Sequence, residues 1–379
     1  MLWLLMSVAH AESWCATPLI AHEWGVQVLR TDGAAPTAVE MPPWLHTRGP
    51  AQPSAAAPVR HLPADTGIRT LPVVQFYAPQ AWGPEIPLAV EVGFTEGRAS
   101  LWYPQVDRLV PAEATRSAEA ERARSALVAQ RRHRTESYDF SSTLGPDPTR
   151  QLGWDSLVLS RTAPDHTQPA TVPWVEALRD VPGALWVSAG EEHERFLFYE
   201  ADTTEQPALV LERGSSWAPG RPHYVLRNRA DWDVHDVVIV ADGRAWTAPR
   251  IPAGATAGFL LDTALDAEGT AAWLRERWTD ADAPTPPEAI RWGEDCVMMR
   301  DPAVPTEDAA DHRLYAAEVD VLLGVWSGRL LEDEGVHVVY REDTDALDTL
   351  MPASLYTDMY HHINWRRLGV VLVEGMALP

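Results

Sequence analysis

Short runs of alternating apolar and polar residues dominate this chain, and they predict strands. "LIAHEWGVQVLRTDG" (19–33) reads as one strand, with Gln27 between apolar neighbours and Asp32-Gly33 supplying a turn. Residues 34–68, rich in Ala, Pro and small polar side chains, read as an irregular crossing. Three further strands follow, "LPVVQFYAP" (71–79), "IPLAVEVGF" (86–94) and "RASLWYPQ" (98–105). Residues 111–150 break the pattern. Their Ala/Glu/Arg-rich part has high helix propensity but a thin apolar stripe, which predicts a solvated helical arm inserted into a β-domain. "LGWDSLVLS" (152–160) then resumes the strands.

Between residues 183 and 262 seven short apolar runs alternate with turn residues, a density that suits an immunoglobulin-like sandwich. Beyond 263 the period becomes helical at "TAAWLRERWTDA" (270–281) and again over 308–335, with a break expected near Gly324. "VHVVYRED" and "RLGVVLVEGMAL" close the chain as strands. The fold expected is mainly β with an α/β C-terminal part. It comprises an N-terminal β-domain (12–165) carrying the arm at 111–150, a sandwich (183–262) and a mixed region (263–379).

Composition narrows the chemistry. The chain has 379 residues and a net charge of −23, which makes nucleic acid and anionic lipid poor partners. It contains no lysine, so all 31 basic residues are arginine. Schiff-base and phosphate-loop lysines are thereby excluded. Residues 2–8 are apolar and Ala9-His10-Ala11 is an A-x-A cleavage pattern, so residues 1–11 read as a signal peptide and the mature protein as periplasmic or extracellular. No later segment is long and apolar enough to predict an integral membrane helix. Cys15 and Cys296 are able to pair after export, and their spacing is not that of a zinc ribbon.

No catalytic signature is complete. His22-Glu23 lacks the second histidine of H-E-x-x-H, because Val26 stands where it would be. On a strand these two neighbours point to opposite faces. "GVWSG" (324–328) places its serine one position too late for a nucleophile elbow. "GEEHER" (190–195) reads as a solvated loop, and His361-His362 as an adjacent pair able to bind a metal. The 17 tryptophans, several beside turns as at Trp82, Trp217 and Trp232, suggest faces for stacking on sugars.

The order of segments resembles a group of uncharacterised exported bacterial proteins that open with an H-E-W-G-T-F-type motif. Here it stands as His22-Glu23-Trp24-Gly25, with Val26-Gln27 in place of T-F. Pro72 to Tyr77 matches a P-V-x-x-F-Y strand, Trp102-Tyr103-Pro104 a W-Y-P segment, and Glu194 to Tyr199 an E-x-F-L-F-Y strand. Trp326 ahead of "GVHVVY" completes the order. The resemblance implies export and a β-rich multidomain fold, and it supplies no activity. His22, Glu23, Trp24, Tyr77, Trp102 and Tyr103 form the candidate binding set. The leading expectation is an exported, non-catalytic binding or scaffold protein whose partner is a glycan or an envelope protein. The rival is a metal-dependent hydrolase using His22 or Glu23 with distant ligands such as His193, His361 or His362. Neither reading names a cofactor.

Overall fold

The computed structural model describes residues 19–36, 39–47, 67–78, 84–94, 97–109, 151–213, 223–241, 243–260, 264–281, 312–332, 335–357 and 363–376. The signal segment, Cys15, Cys296, the arm, Trp82, Trp217 and the His361-His362 pair lie outside the described residues.

The chain is mainly β, as its alternation predicts. The opening segment forms β1 (Leu19–Arg30), central in a nine-stranded sheet. β1 runs parallel to β18 (Ile363–Glu374) on one side and antiparallel to β3 (Gly67–Tyr77) on the other. Beyond β18 lie β16 (Val336–Arg341), β13 (Val234–Ala241) and β14 (Arg244–Ile251). Beyond β3 lie β10 (Leu197–Thr203), β5 (Gly97–Tyr103) and β2 (His46–Thr47).

A six-stranded sheet holds β17 (Ala353–Tyr356), β4 (Glu85–Gly93), β7 (Gln151–Ser160), β8 (Trp186–Ala189) and β9 (Glu192–Glu194), with β6 (Arg108–Leu109) paired to β7. A three-stranded sheet holds β11 (Leu209–Arg213), β12 (His223–Asn228) and β15 (Thr256–Leu260).

The two faces of β1 organise three cores. Trp24, Val26 and Val28 point to a helical layer made of α1 (Pro173–Arg179), α2 (Ala267–Trp278) and α3 (Ala316–Ser327). Leu274 and Trp278 of α2, and Val319, Leu322, Leu323 and Trp326 of α3, recur at helical spacing on the buried faces. On the opposite face Leu19 and Ala21 pack with the six-stranded sheet, and Leu29 packs with the three-stranded one. Gln27 falls between these two cores.

Three expectations are corrected. Segment 183–262 is β-rich as read, but it does not close on itself. Its strands are shared among all three sheets because their partners come from both ends of the chain. Helix α3 runs through Gly324 without a break. Gly324 is exposed, and its cost of about 1 kcal/mol is small beside the burial of Leu322, Leu323 and Trp326. The chain becomes a π-helical turn only at Gly328–Glu332. Residues 192–194 form β9 rather than a loop, and α4 (Thr344–Leu350), capped by Asp343, went unread.

Trp326 is buried against both β-strand and helix side chains, so Trp326→Ala should lower unfolding free energy by about 3–5 kcal/mol in urea denaturation. A loss below about 1 kcal/mol would mean that the helical layer does not pack on β1 as described.

Candidate functional site

His22 and Glu23 lie on opposite faces of β1, and each is closed into its own buried network. In the parallel register Glu23 stands directly beside Arg367 of β18. Arg367 Nε donates to Glu23 Oε2 at 2.8 Å and Nη2 donates to Oε1 at 2.9 Å, a fork that matches the carboxylate. The Tyr199 hydroxyl donates to Glu23 Oε1 at 2.5 Å. Arg367 Nη1 donates to Asp348 Oδ1 and to the Met351 carbonyl, both at 2.7 Å. Burial pushes the Tyr199 hydroxyl well above the usual phenol range, and the Glu23 charge adds to this, so Tyr199 remains a donor.

On the helical face, His22 Nδ1 donates to Glu318 Oε2 at 2.6 Å, with both side chains fully buried. The same oxygen accepts from the Tyr315 backbone N–H at 2.9 Å, so one carboxylate caps α3 and ties it to β1. The His22 ring packs against Tyr77 and Tyr315, with centroids 5.3 and 4.6 Å away. Burial raises the Tyr77 hydroxyl well above its ordinary value, and Glu318 adds to the effect.

The structure therefore brings His22 and Tyr77 together and places the rest of the candidate set elsewhere. Trp24 joins the helical core, Trp102 the core under the six-stranded sheet, and Tyr103 packs its ring 4.6 Å from Trp44. All four aromatic side chains are at most 2% exposed, so none offers the open face that stacking on a sugar requires. His193 Nδ1 pairs with Ser188 Oγ at 2.8 Å on β9 and β8, in a different sheet from β1. Among the described residues no group of three or more His, Cys, Asp or Glu is arranged to hold a metal ion.

Two arrangements escaped the sequence. The first centres on Asp236, a fully buried non-glycine residue at φ 48° where β13 slips its register against β16. Asp236 accepts from Arg277, from Arg341 Nε at 2.9 Å and from Trp278 Nε1 at 3.2 Å. Burial raises the Asp236 carboxyl, and the two guanidinium groups more than offset this, holding it below the ordinary carboxylate range. Burial and the Arg341 charge press the nearby His312 down to about 3 against the partial opposition of Asp236, so this imidazole is neutral.

The second is a cleft of about 370 Å³ lined by strands of the large sheet and the connections beside them. Gln27 of β1, Glu205 after β10, Trp232 between β12 and β13, and Tyr340 and Glu342 at the end of β16 line it. Arg69 of β3 spans both carboxylates. Its Nη1 and Nη2 donate to Glu342 at 2.9 and 3.0 Å, and its Nε and Nη2 donate to Glu205 at 3.2 and 2.5 Å. Gln27 Nε2 adds a bond to Glu205 Oε2 at 2.9 Å. Tyr340 accepts from the Ala208 N–H, while Trp232 Nε1 is buried with no hydrogen-bond partner among the described residues. Gln27, polar between apolar neighbours, and Trp232, a tryptophan beside a turn, were the sequence signals of this cleft.

Two measurements check these networks. Glu23→Gln and Arg367→Met should each destabilise by about 3–5 kcal/mol, and a double-mutant cycle should give a coupling of about 0.5–3 kcal/mol. Additive losses would show that the two residues do not act as a pair. For His312 the folded value lies below the ordinary histidine value of about 6.5. Its contribution is therefore complete above that pH and declines as the pH falls through the window down to about 3, because only the unfolded chain takes up the proton. Urea denaturation between about pH 7 and 5 should show a slope approaching 1.4 kcal/mol per pH unit from this group, and His312→Gln should remove that part. An unchanged slope would place a different group at the origin of the acid sensitivity.

No protein-family model matches the chain, and neither does any curated protein. Among solved structures it is similar to the yeast delta-COP-I mu-homology domain complexed with a Dsl1 WxWxV peptide, at 8% identity and a TM-score of 0.27, over 94% of this chain and 96% of that one. A likeness at that level carries no argument about fold or function.

Proposed function

We propose that this chain is an exported binding protein of the cell envelope rather than a catalyst. The observation that carries the reading is convergence. Residues from the first strand, the middle of the chain and its last quarter meet in one cleft with a polar and aromatic lining. Its two carboxylates, Glu205 and Glu342, are both engaged by the Arg69 guanidinium. The groups nominated for acid/base work, His22 and Glu23, are taken up in bonds that hold β1 to α3 and β18. The A-x-A pattern at residues 9–11 supports export. Among the described residues no helix is long and apolar enough to cross a membrane. Leu109 is the one large exposed apolar side chain among them, so the described surface favours small or polar partners over a broad hydrophobic one.

The test is a thermal-shift screen of oligosaccharides, amines and short peptides on wild type and Trp232→Ala, run beside a hydrolase substrate panel with added zinc or manganese. At least one ligand class should stabilise wild type, by about 2.7 kcal/mol at a hundred times its Kd, and should leave Trp232→Ala unaffected. Equal stabilisation of the variant would displace the site from the cleft. Metal-dependent turnover by wild type, lost in a His22→Ala that still unfolds cooperatively, would instead establish the hydrolase.

A further inference from the structure

We propose that the cleft binds an organic cation, a primary ammonium or guanidinium group, held by Glu205 and Glu342 with the Trp232 indole beside it. This rests on the reading of the protein as a binder and names the chemistry of its ligand.

Charge is the first argument. Two carboxylates face one guanidinium, so Glu205, Glu342 and Arg69 together carry one negative charge in excess. Their side chains are only 10%, 5% and 5% exposed. Arg69 already spends Nε, Nη1 and Nη2 on the pair. The carboxylates are not saturated by it, because each has about four lone-pair positions. Glu342 accepts two of these bonds, and Glu205 accepts two plus the one from Gln27. Burial pushes the Glu342 carboxyl up against the pull of Arg69, and the Glu205 charge pushes the same way. A second cation would relieve that cost where water is scarce.

Shape and lining decide which cation. The volume of about 370 Å³ lies in the range of small-molecule sites and exceeds what one metal ion needs. Trp232 offers a ring to a cation. Ala208 and Leu350 supply apolar surface for a carbon stem. An inorganic ion would use none of these groups. The net charge of −23 draws cations toward the molecule from a distance.

Calorimetry at low salt and neutral pH tests this with two probes, spermidine and the peptide acetyl-Gly-Arg-Gly-amide. The peptide with citrulline in place of arginine is the neutral control. At least one cation should bind, citrulline should weaken the peptide by about tenfold or more, and Glu205→Gln should weaken either cation by about tenfold or more. Added salt should weaken binding as well. Glu205→Gln keeps the side-chain shape, and Trp232→Ala removes a half-buried ring instead, so one variant reports even if the other folds poorly. Tighter binding of spermidine would identify a free polyamine as the source of the cation, and tighter binding of the peptide a basic protein segment.

Equal affinity for arginine and citrulline peptides, or full affinity in a folded Glu205→Gln, overturns the proposal. Suppose neither cation binds while a neutral ligand stabilises wild type and not Trp232→Ala. The cation assignment then falls and the binding reading stands. If no ligand engages the cleft, both fall.

Discussion

The fold hangs on the pairing of Glu23 with Arg367 across two parallel strands from opposite ends of the chain. Parallel neighbours this distant in sequence gain nothing from a hairpin, so their register must be set by side chains. A slip of one residue would carry Glu23 to the helical face and His22 to the other, leaving the Arg367 Nε and Nη2 donors without their carboxylate. That alternative is disfavoured by the cost of breaking a buried charge pair, which is several kcal/mol. The Glu23 fork, the Tyr199 hydroxyl and the Asp348 contact together admit one alignment. With β1 and β18 aligned, β3 and β10 are seated on one side and β16 and β13 on the other.

The same device recurs, and the lysine-free composition suits it. Arg69 spans two glutamates, Arg179 forks onto the fully buried Glu194, and Arg341 and Arg277 share Asp236. The Arg69 and Arg179 contacts are planar and multi-donor, a geometry that a lysine ammonium cannot reproduce. An acidic chain whose basic residues are all arginine can thus bury several charges, provided every guanidinium finds oxygen acceptors. Asp236 shows the cost. Its backbone enters the left-handed region without being glycine, and the two arginines and Trp278 hold it there.

Local structure was legible in the residues, and long-range pairing was not. The strand at 19–30 follows from its alternation, as does the opposition of His22 and Glu23. Glu318 and Arg367 could not be named as their partners, because 296 and 344 residues separate the pairs and no local pattern encodes the contact. Segment 183–262 reads as strands for the same local reason. Which sheet each strand joins depends on β3, β5, β16 and other distant elements, so it looked self-contained when it is not. The motif residues drew attention because aromatic and charged side chains stand out in a sequence. They stand out here because they fill and lock cores.

That distinction bears on where binding resides. Glu23, Asp348 and Arg367 also sum to one excess negative charge, yet that cluster is sealed, and the Tyr199 hydroxyl donates a further hydrogen bond to the Glu23 carboxylate. The Glu205, Glu342 and Arg69 cluster carries the same excess, and it opens onto a cleft. The two clusters lie on the same face of β1, four residues apart at Glu23 and Gln27. Glu23 faces the six-stranded sheet's core, and Gln27 faces the cleft. One strand therefore borders a closed charge cluster and an open one, and access to the cleft is what separates them.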